Sequence, residues 1–390
     1  MPIEDRNNLR NHALKFIILL GVVSLLADMT YEGARSITGP YLAILGANAV
    51  VVGFVAGFGE FIGYAFRLIS GYLSDRTRKY WTITIIGYSI NLLAVPLLAL
   101  AGSWEIAAVL LIAERMGKAF RTPARDVMLS HACSEVGQGW GFGLHEAMDQ
   151  IGAIIGPLII ALVLFFNGSY QTSFALLLIP AVLALSVLVM SRFLYPNPHE
   201  LEIKTPKLDA KGFNHIYWIY MAAVALIAIG FVDFPFIAFH FKNSAITSDS
   251  LIPVFYAIAM GVDALAALAF GRLFDRVGLS IMILVAVLSA FFAPLVFLGS
   301  FYSALIGIAL WGIGLGAQES IMRAAIAGMS QVQRRGTAYG VFNTVFGVFW
   351  FVGSLTMGIL YDISIVYLVI FSMISQLTSI PLFLLIRKFR

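Results

Sequence analysis

The chain is poor in what a water-soluble domain relies on. Only 12% of its 390 residues are Asp, Glu, Lys or Arg, against about 25% in an ordinary soluble domain. It has one cysteine, Cys133, which excludes an intrachain disulfide framework and a cysteine-built zinc site. It has no Gly-x-Ser-x-Gly elbow, no His-Glu-x-x-His pair and no phosphate-cradling glycine loop, so neither an enzyme, a metal nor a cofactor is expected. The apolar stretches do not alternate over about ten residues, which excludes a membrane barrel. No nucleic-acid partner is expected either.

What the chain has in abundance is apolar length. Hydrophobic residues make up 60% and the mean hydropathy is +0.90. No soluble fold of this size hides so much apolar surface, so the natural solvent is a lipid bilayer. Phe16–Ala27 follows basic residues as a signal peptide would, but its apolar pattern runs on without a small-residue cleavage site, and it is expected to stay as a span.

Short polar turns divide the chain into twelve candidate helices: Phe16–Leu45, Val50–Leu73, Trp81–Ala101, Glu105–His131, Gly139–Phe166 and Tyr170–Leu194, then Ile216–Phe241, Ser250–Phe274, Leu279–Gly299, Tyr302–Ser330, Gly336–Tyr361 and Ile363–Ile386. Each exceeds the roughly twenty residues that cross the hydrocarbon. The polar stretch Tyr195–Phe213, with Pro196, Pro198 and Pro206, marks a tether. The expected organisation is a six-helix bundle over 1–195, a linker at 196–213 and a second bundle over 214–390. Arg76, Arg78, Lys79, Lys204, Lys207, Arg272, Arg276, Arg334, Arg335 and the basic ends all fall on one side of such a layout. The excess of positive charge in cytoplasmic loops then places both termini in the cytoplasm of a multi-pass protein of the cell membrane.

The halves echo each other. Gly71-Tyr-Leu-Ser-Asp75-Arg76 closes the second span, and Gly271-Arg-Leu-Phe-Asp275-Arg276 closes the eighth, 200 residues later. A repeated half with a polar turn between greasy helices is the construction of many secondary transporters.

Charges inside the spans avoid every third helix. Spans three, six, nine and twelve carry essentially none, so they suit lipid, while the others hold acids and bases that must face a shared interior. Asp28 and Glu32 are four apart and share a face of the first span. Asp28 lies about 20 Å along the helix from Lys15. Two carboxylates so close in a low-dielectric site cannot both ionise cheaply, which is the property of a proton carrier. Their permanent neutralisation by Arg35 and Arg115 is the alternative. On the fourth span Glu114, Lys118, Arg121 and Arg125 form one stripe, with Arg115 about a quarter-turn away. Arg115 and Lys118 suit setting the acids' charge or binding substrate, and Arg121 and Arg125 suit pairing with Asp75. On the fifth span His145, Asp149, Gly152 and Gly156 share a stripe beside Glu146, making Asp149 and Glu146 further proton-coupling candidates. Asp233 and Asp263 are acids in the second half without an evident local partner, and Tyr31, Phe234, Phe236, Tyr339, Phe346 and Trp350 are candidates to line an aromatic cavity.

These residues give the chain a resemblance to the major facilitator superfamily over nearly its whole length. Gly71, Leu73, Asp75 and Arg76 match the family's loop motif, which continues with Lys79 but has Arg78 where glycine is usual; the second copy keeps Gly278. The resemblance implies that Gly71, Asp75 and Arg76 help hold one conformational state. Arg115 followed by Gly117 partly matches the family's fourth-span motif. Gly152-Ala-Ile-Ile-Gly156-Pro157 resembles the motif of its exporters and antiporters. The family's fold of two pseudo-twofold-related six-helix bundles, an all-α membrane protein, is thus expected. So is a monomer exchanging a small amphipathic organic molecule for protons by alternating access. Proton-coupled uptake of a small metabolite is the alternative, and a non-transporting receptor a more distant one.

Overall fold

The computed structural model describes residues 3–196, 214–329 and 335–388, and no strand occurs among them. The helices are α1 (Ile3–Ile44), α2 (Ala49–Thr77), α3 (Tyr80–Leu97), α4 (Trp104–Val136), α5 (Gln138–Phe165), α6 (Tyr170–Leu176), α7 (Leu178–Leu194), α8 (His215–Gly230) and α9 (Phe234–Asn243). They continue as α10 (Ile252–Val277), α11 (Ile281–Ala290), α12 (Phe292–Phe297), α13 (Phe301–Ala317), α14 (Arg323–Met329), α15 (Arg335–Ile363) and α16 (Ile365–Lys388). Among the described residues ten helical stretches are long and apolar enough to cross a bilayer. A count of twelve spans requires two more things: that the charged 33-residue α4 also crosses, and that the 46-residue stretch Ile252–Phe297 crosses twice. From residue 197 to 213 the expected linker lies outside the described residues.

Packing groups the chain into two compact units. One comprises Met1–Ala34 and Ala65–Thr205, the other Arg35–Tyr64 and Pro206–Arg390.

In the first unit, small residues let helices touch backbone to backbone. A methyl on Gly87 of α3 would sit 2.6 Å from the Arg121 nitrogen of α4, and one on Gly117 2.7 Å from the Gly87 carbonyl. Asn91 rivets the same pair, donating to the Glu114 carbonyl (3.1 Å) and carboxylate (2.8 Å). Gly152 and Gly156 of α5 press on α1: added methyls would meet Asp28 Cβ at 3.0 Å and Met29 Cα at 2.9 Å. That is how small residues drive helix association where no hydrophobic force acts between helices.

The second unit follows the same rule, with Gly316 of α13 against Asp263 of α10 and Gly53 and Gly57 of α2 against Ser354 of α15. One expectation needs correcting here. Ile216–Phe241 is not one helix: it breaks at residues 231–233, between α8 and α9. Asp233 caps the new helix, its carboxylate accepting the Phe234 N–H at 2.9 Å, and Pro235 occupies the first turn, where its missing N–H costs nothing. The carbonyls the break releases find side chains. Gly230 O accepts from Ser372 (2.6 Å) and Gln376 (3.2 Å), and Val232 O from Trp311 (2.8 Å). A broken helix in a membrane needs such substitutes. The sixth and ninth candidate spans are likewise interrupted, at Leu177 and Phe291.

The repeated loop shows in backbone conformation. Arg78 has φ +53° and Gly278, 200 residues on, φ +64°; Gly278 has ψ −151°, a combination nearly reserved for glycine. Gly278→Ala is therefore expected to lower stability by about 1–3 kcal/mol, whereas Arg78→Gly is expected not to lower it. Thermal unfolding of the purified variants in detergent checks both.

Candidate functional site

In the first unit three helices bring their charges to one place. α1 supplies Ser24, Asp28, Tyr31 and Glu32. α4 supplies Glu114, Arg115, Lys118, Arg121, Arg125 and Asp126. α5 supplies His145 and Asp149. The helical repeat puts Ser24, Asp28, Tyr31 and Glu32 on one face of α1, and the small residues Gly152 and Gly156 let α5 lie close to that face.

Asp28 is 7% exposed and accepts a hydrogen bond from the Tyr31 hydroxyl. Glu32, equally buried, faces the Lys118 ammonium at 3.6 Å. The same ammonium sits 3.9 Å above the Tyr31 ring. One cation thereby addresses a carboxylate and the ring of the tyrosine that holds a second carboxylate. Arg121 is 1% exposed. Its guanidinium stacks 4.0 Å from the Tyr88 ring and lies 5.7 Å from that of Tyr31, and its Nε and Nη1 make no hydrogen bond among the described residues. A planar guanidinium is better suited to such faces than an ammonium. Arg125 donates to Ser24 (3.1 Å) and pairs with Asp126 (2.8 Å). His145 Nδ1 lies 3.7 Å from Asp149 Oδ2.

The expected stripe on α4 thus meets α1. Lys118 is a partner of the acid pair. Arg115 lies 3.4 Å from its neighbour Glu114. Arg121 is held between tyrosines, and the side chain of Asp75, its expected partner, lies outside the described residues. Glu146 is exposed on α5, on a different face from buried His145. Gly71 approaches Pro123 of α4, and Arg76 donates to Tyr72 at 3.2 Å. Pro157 lies within α5, one residue beyond Gly156.

The second unit holds the remaining expected residues. Arg35 Nη2 donates to Glu60 at 3.0 Å and also bonds Asp233. Asp263 is buried beside Gly316. Phe234 packs on Tyr256 at 4.3 Å, and Phe346 on Trp350 at 5.2 Å, so these rings fill the interior of the unit. The sequence reading did not single out Tyr88, Asn91 and Ser24, and had Glu60 only among the charges inside the spans. Their partners lie 23 to 101 positions away in the chain, beyond the reach of helical spacing. The only signal for Glu60 was a lone acid in an apolar helix. Among the described residues no three His, Cys, Asp or Glu side chains are placed to hold a metal ion.

Comparison with known proteins agrees with this architecture. Residues 20–354 match the model of the Major Facilitator Superfamily. An uncharacterised protein of Mycobacterium tuberculosis is 40% identical over 382 residues, covering 96% of this chain and 93% of the relative. An uncharacterised MFS-type transporter of Methanocaldococcus jannaschii is 28% identical over 373 residues, covering 92% of each. Among solved structures, the nucleoside transporter NupG is similar with a TM-score of 0.72 at 13% identity, over 96% of this chain and 98% of that one. A POT family transporter in complex with 5-aminolevulinic acid is similar with a TM-score of 0.75 at 12% identity, over 96% and 95%. These two share the fold. A helical, multi-pass chain with paired charges in its interior, matched by the family model along most of its length, belongs to the Major Facilitator Superfamily of membrane transporters.

Proposed function

We propose that this transporter exports a small amphipathic organic molecule in exchange for protons, by alternating access of two six-helix bundles, residues 1–195 and 214–390. It would act as a monomer in the cell membrane, with both termini in the cytoplasm. The observation that carries the reading is the buried grouping of Asp28, Tyr31, Glu32 and Lys118. Two neighbouring carboxylates, one facing an ammonium and the other a hydroxyl donor, offer a proton a place to bind and a charge network for it to disturb. Substrate and proton would compete for that network. A ligand shifts a conformational equilibrium only through its different affinity for the two states, and a network that changes partners on protonation supplies such a difference. Asp149, beside His145, is a further acid of the route. The Gly152–Pro157 motif, similar to that of exporters, supports the outward direction. The mixed charges of Lys118, Arg121 and the acids suit an amphipathic molecule with a charged head.

Flux in proteoliposomes tests this, with a panel of labelled amphipathic cations, anions and zwitterions under opposite pH gradients. Export driven by an inward proton gradient is expected for the wild type. Asp28→Asn, Glu32→Gln and Asp149→Asn are expected to reduce the pH-driven component by roughly 5–150-fold, the range of ordinary site-to-site coupling. Retained pH-driven flux in all three would remove the assignment. Lys118→Met is expected to be as impaired as Glu32→Gln, while Lys118→Arg, which keeps the charge, retains part of the flux. Equal flux in Lys118→Met and wild type would show that the ammonium has no part in coupling.

A further inference from the structure

In the first unit α7 packs with one face and leaves the other open. Ala181, Ala184, Leu188 and Ser191 are buried, while a groove of about 600 Å³ runs along the opposite side from Val182 to Leu194, past Ser186, Val189, Met190 and Phe193. Val182 to Leu194 spans about 18 Å of helix, and one leaflet is half of a hydrocarbon layer about 30 Å thick. The groove therefore has the length of one lipid chain. Its single polar side chain, Ser186, turns its hydroxyl back to the Val182 carbonyl at 2.8 Å. One end of the groove meets aromatic rings from α1 and α3. Trp81 of α3 donates its indole N–H to the Tyr195 carbonyl at 2.9 Å. Phe16 of α1 packs on the Tyr195 ring at 5.0 Å and on Trp81 at 6.1 Å. Tryptophan and tyrosine collect at the membrane–water boundary, so this cluster marks the depth of the lipid headgroups. Val189, Arg192 and Tyr195 follow at intervals of three, each about 60° round the helix from the last. Arg192 thus stands between the groove and the rings. It is exposed, as is Lys15 next to Phe16, and neither α3 nor α7 contains an acidic residue.

We infer that this end of the first unit binds an anionic phospholipid, with one acyl chain along α7 and the phosphate held by Arg192, and with Lys15 of α1 adding to the attraction. A guanidinium presents two parallel N–H groups to a phosphate. A long basic side chain at this depth lays its stem on apolar surface and extends its charge into the headgroup layer. The groove alone selects no headgroup, since every phospholipid offers a chain. The bases alone would take any anion. Together they select an anion that carries a chain. In a zwitterionic lipid the headgroup cation would face Arg192 and Lys15, so a lipid of the phosphatidylglycerol type is preferred over one of the phosphatidylcholine type. None of these residues belongs to the buried charges of α1, α4 and α5, so the inference stands apart from the export reading.

Native mass spectrometry of the full-length protein in detergent tests this, with separate titrations of phosphatidylglycerol, phosphatidylcholine of the same chains, and glycerol phosphate. The first phosphatidylglycerol is expected to bind more tightly than the first phosphatidylcholine, and excess glycerol phosphate is expected not to displace it. Arg192→Gln is expected to weaken that first binding about fivefold, the share of one basic residue near an anionic membrane surface. Ser186→Trp, which fills the groove and leaves the charges alone, is expected to weaken it too. Arg276→Gln removes an exposed charge from the second unit and is expected to change nothing. All three positions are exposed, so the variants are expected to fold. Equal affinity for the two lipids overturns the proposal. So does an unchanged first binding in Arg192→Gln or Ser186→Trp, or an equal loss in Arg276→Gln, which would mean that the lipid senses net charge alone. Displacement by glycerol phosphate would overturn it as well, by showing a simple anion site.

Discussion

A charge taken out of water has to be answered from within the protein, and that constraint shapes every part of this chain that is not simply apolar. An unanswered carboxylate or ammonium costs several kcal/mol in a low-dielectric interior. Here charges inside the helices are met by side chains from other helices, Lys118 by Glu32 and Arg35 by Glu60 and Asp233, or from the next turn of the same helix, Asp28 by Tyr31. Small residues serve the same end. Gly152 and Gly156 bring α5 against the face of α1 that carries Asp28, and Gly87 and Gly117 bring α3 against the α4 stripe. Polar grouping and close helix approach are thus one arrangement, since pairs this short do not form between helices held apart by bulky side chains.

The same constraint explains the broken helix. Opening the backbone at residues 231–233 would strand carbonyls in an apolar interior, yet Ser372, Gln376 and Trp311 reach the two that matter. The break is therefore a built feature, with a capping acid on one side and donors from α13 and α16 on the other. A discontinuous helix with its first N–H groups turned to a carboxylate is a place where a bound charge and a hinge meet.

Much of the fold was legible in the sequence because hydropathy and period report on lipid and helix directly. The repeated loop, Gly71 to Arg76 and Gly271 to Arg276, told of two related halves, and Arg78 and Gly278 carry that echo into backbone angles. The stripe on α4 was legible too, since spacings of three and four fix a helix face. Its partners were not. Arg121 between Tyr31 and Tyr88, Arg125 on Ser24 and Glu60 on Arg35 are contacts across helices, and no spacing rule gives the rotation of one helix against the next. The break at Asp233 was missed for a related reason. Its cap and proline were visible, but the apolar run continues through it unbroken, and only the donors from distant helices make the interruption affordable.

The Glu32–Lys118 pair is the link on which the account of the first unit rests. A double-mutant cycle on Glu32→Gln and Lys118→Met, read by thermal unfolding of the purified protein in lipid, measures it directly. The account predicts an interaction energy of about 0.5–3 kcal/mol between the two sites, with the double variant more stable than the sum of the single losses implies. Strict additivity of the two losses would contradict it.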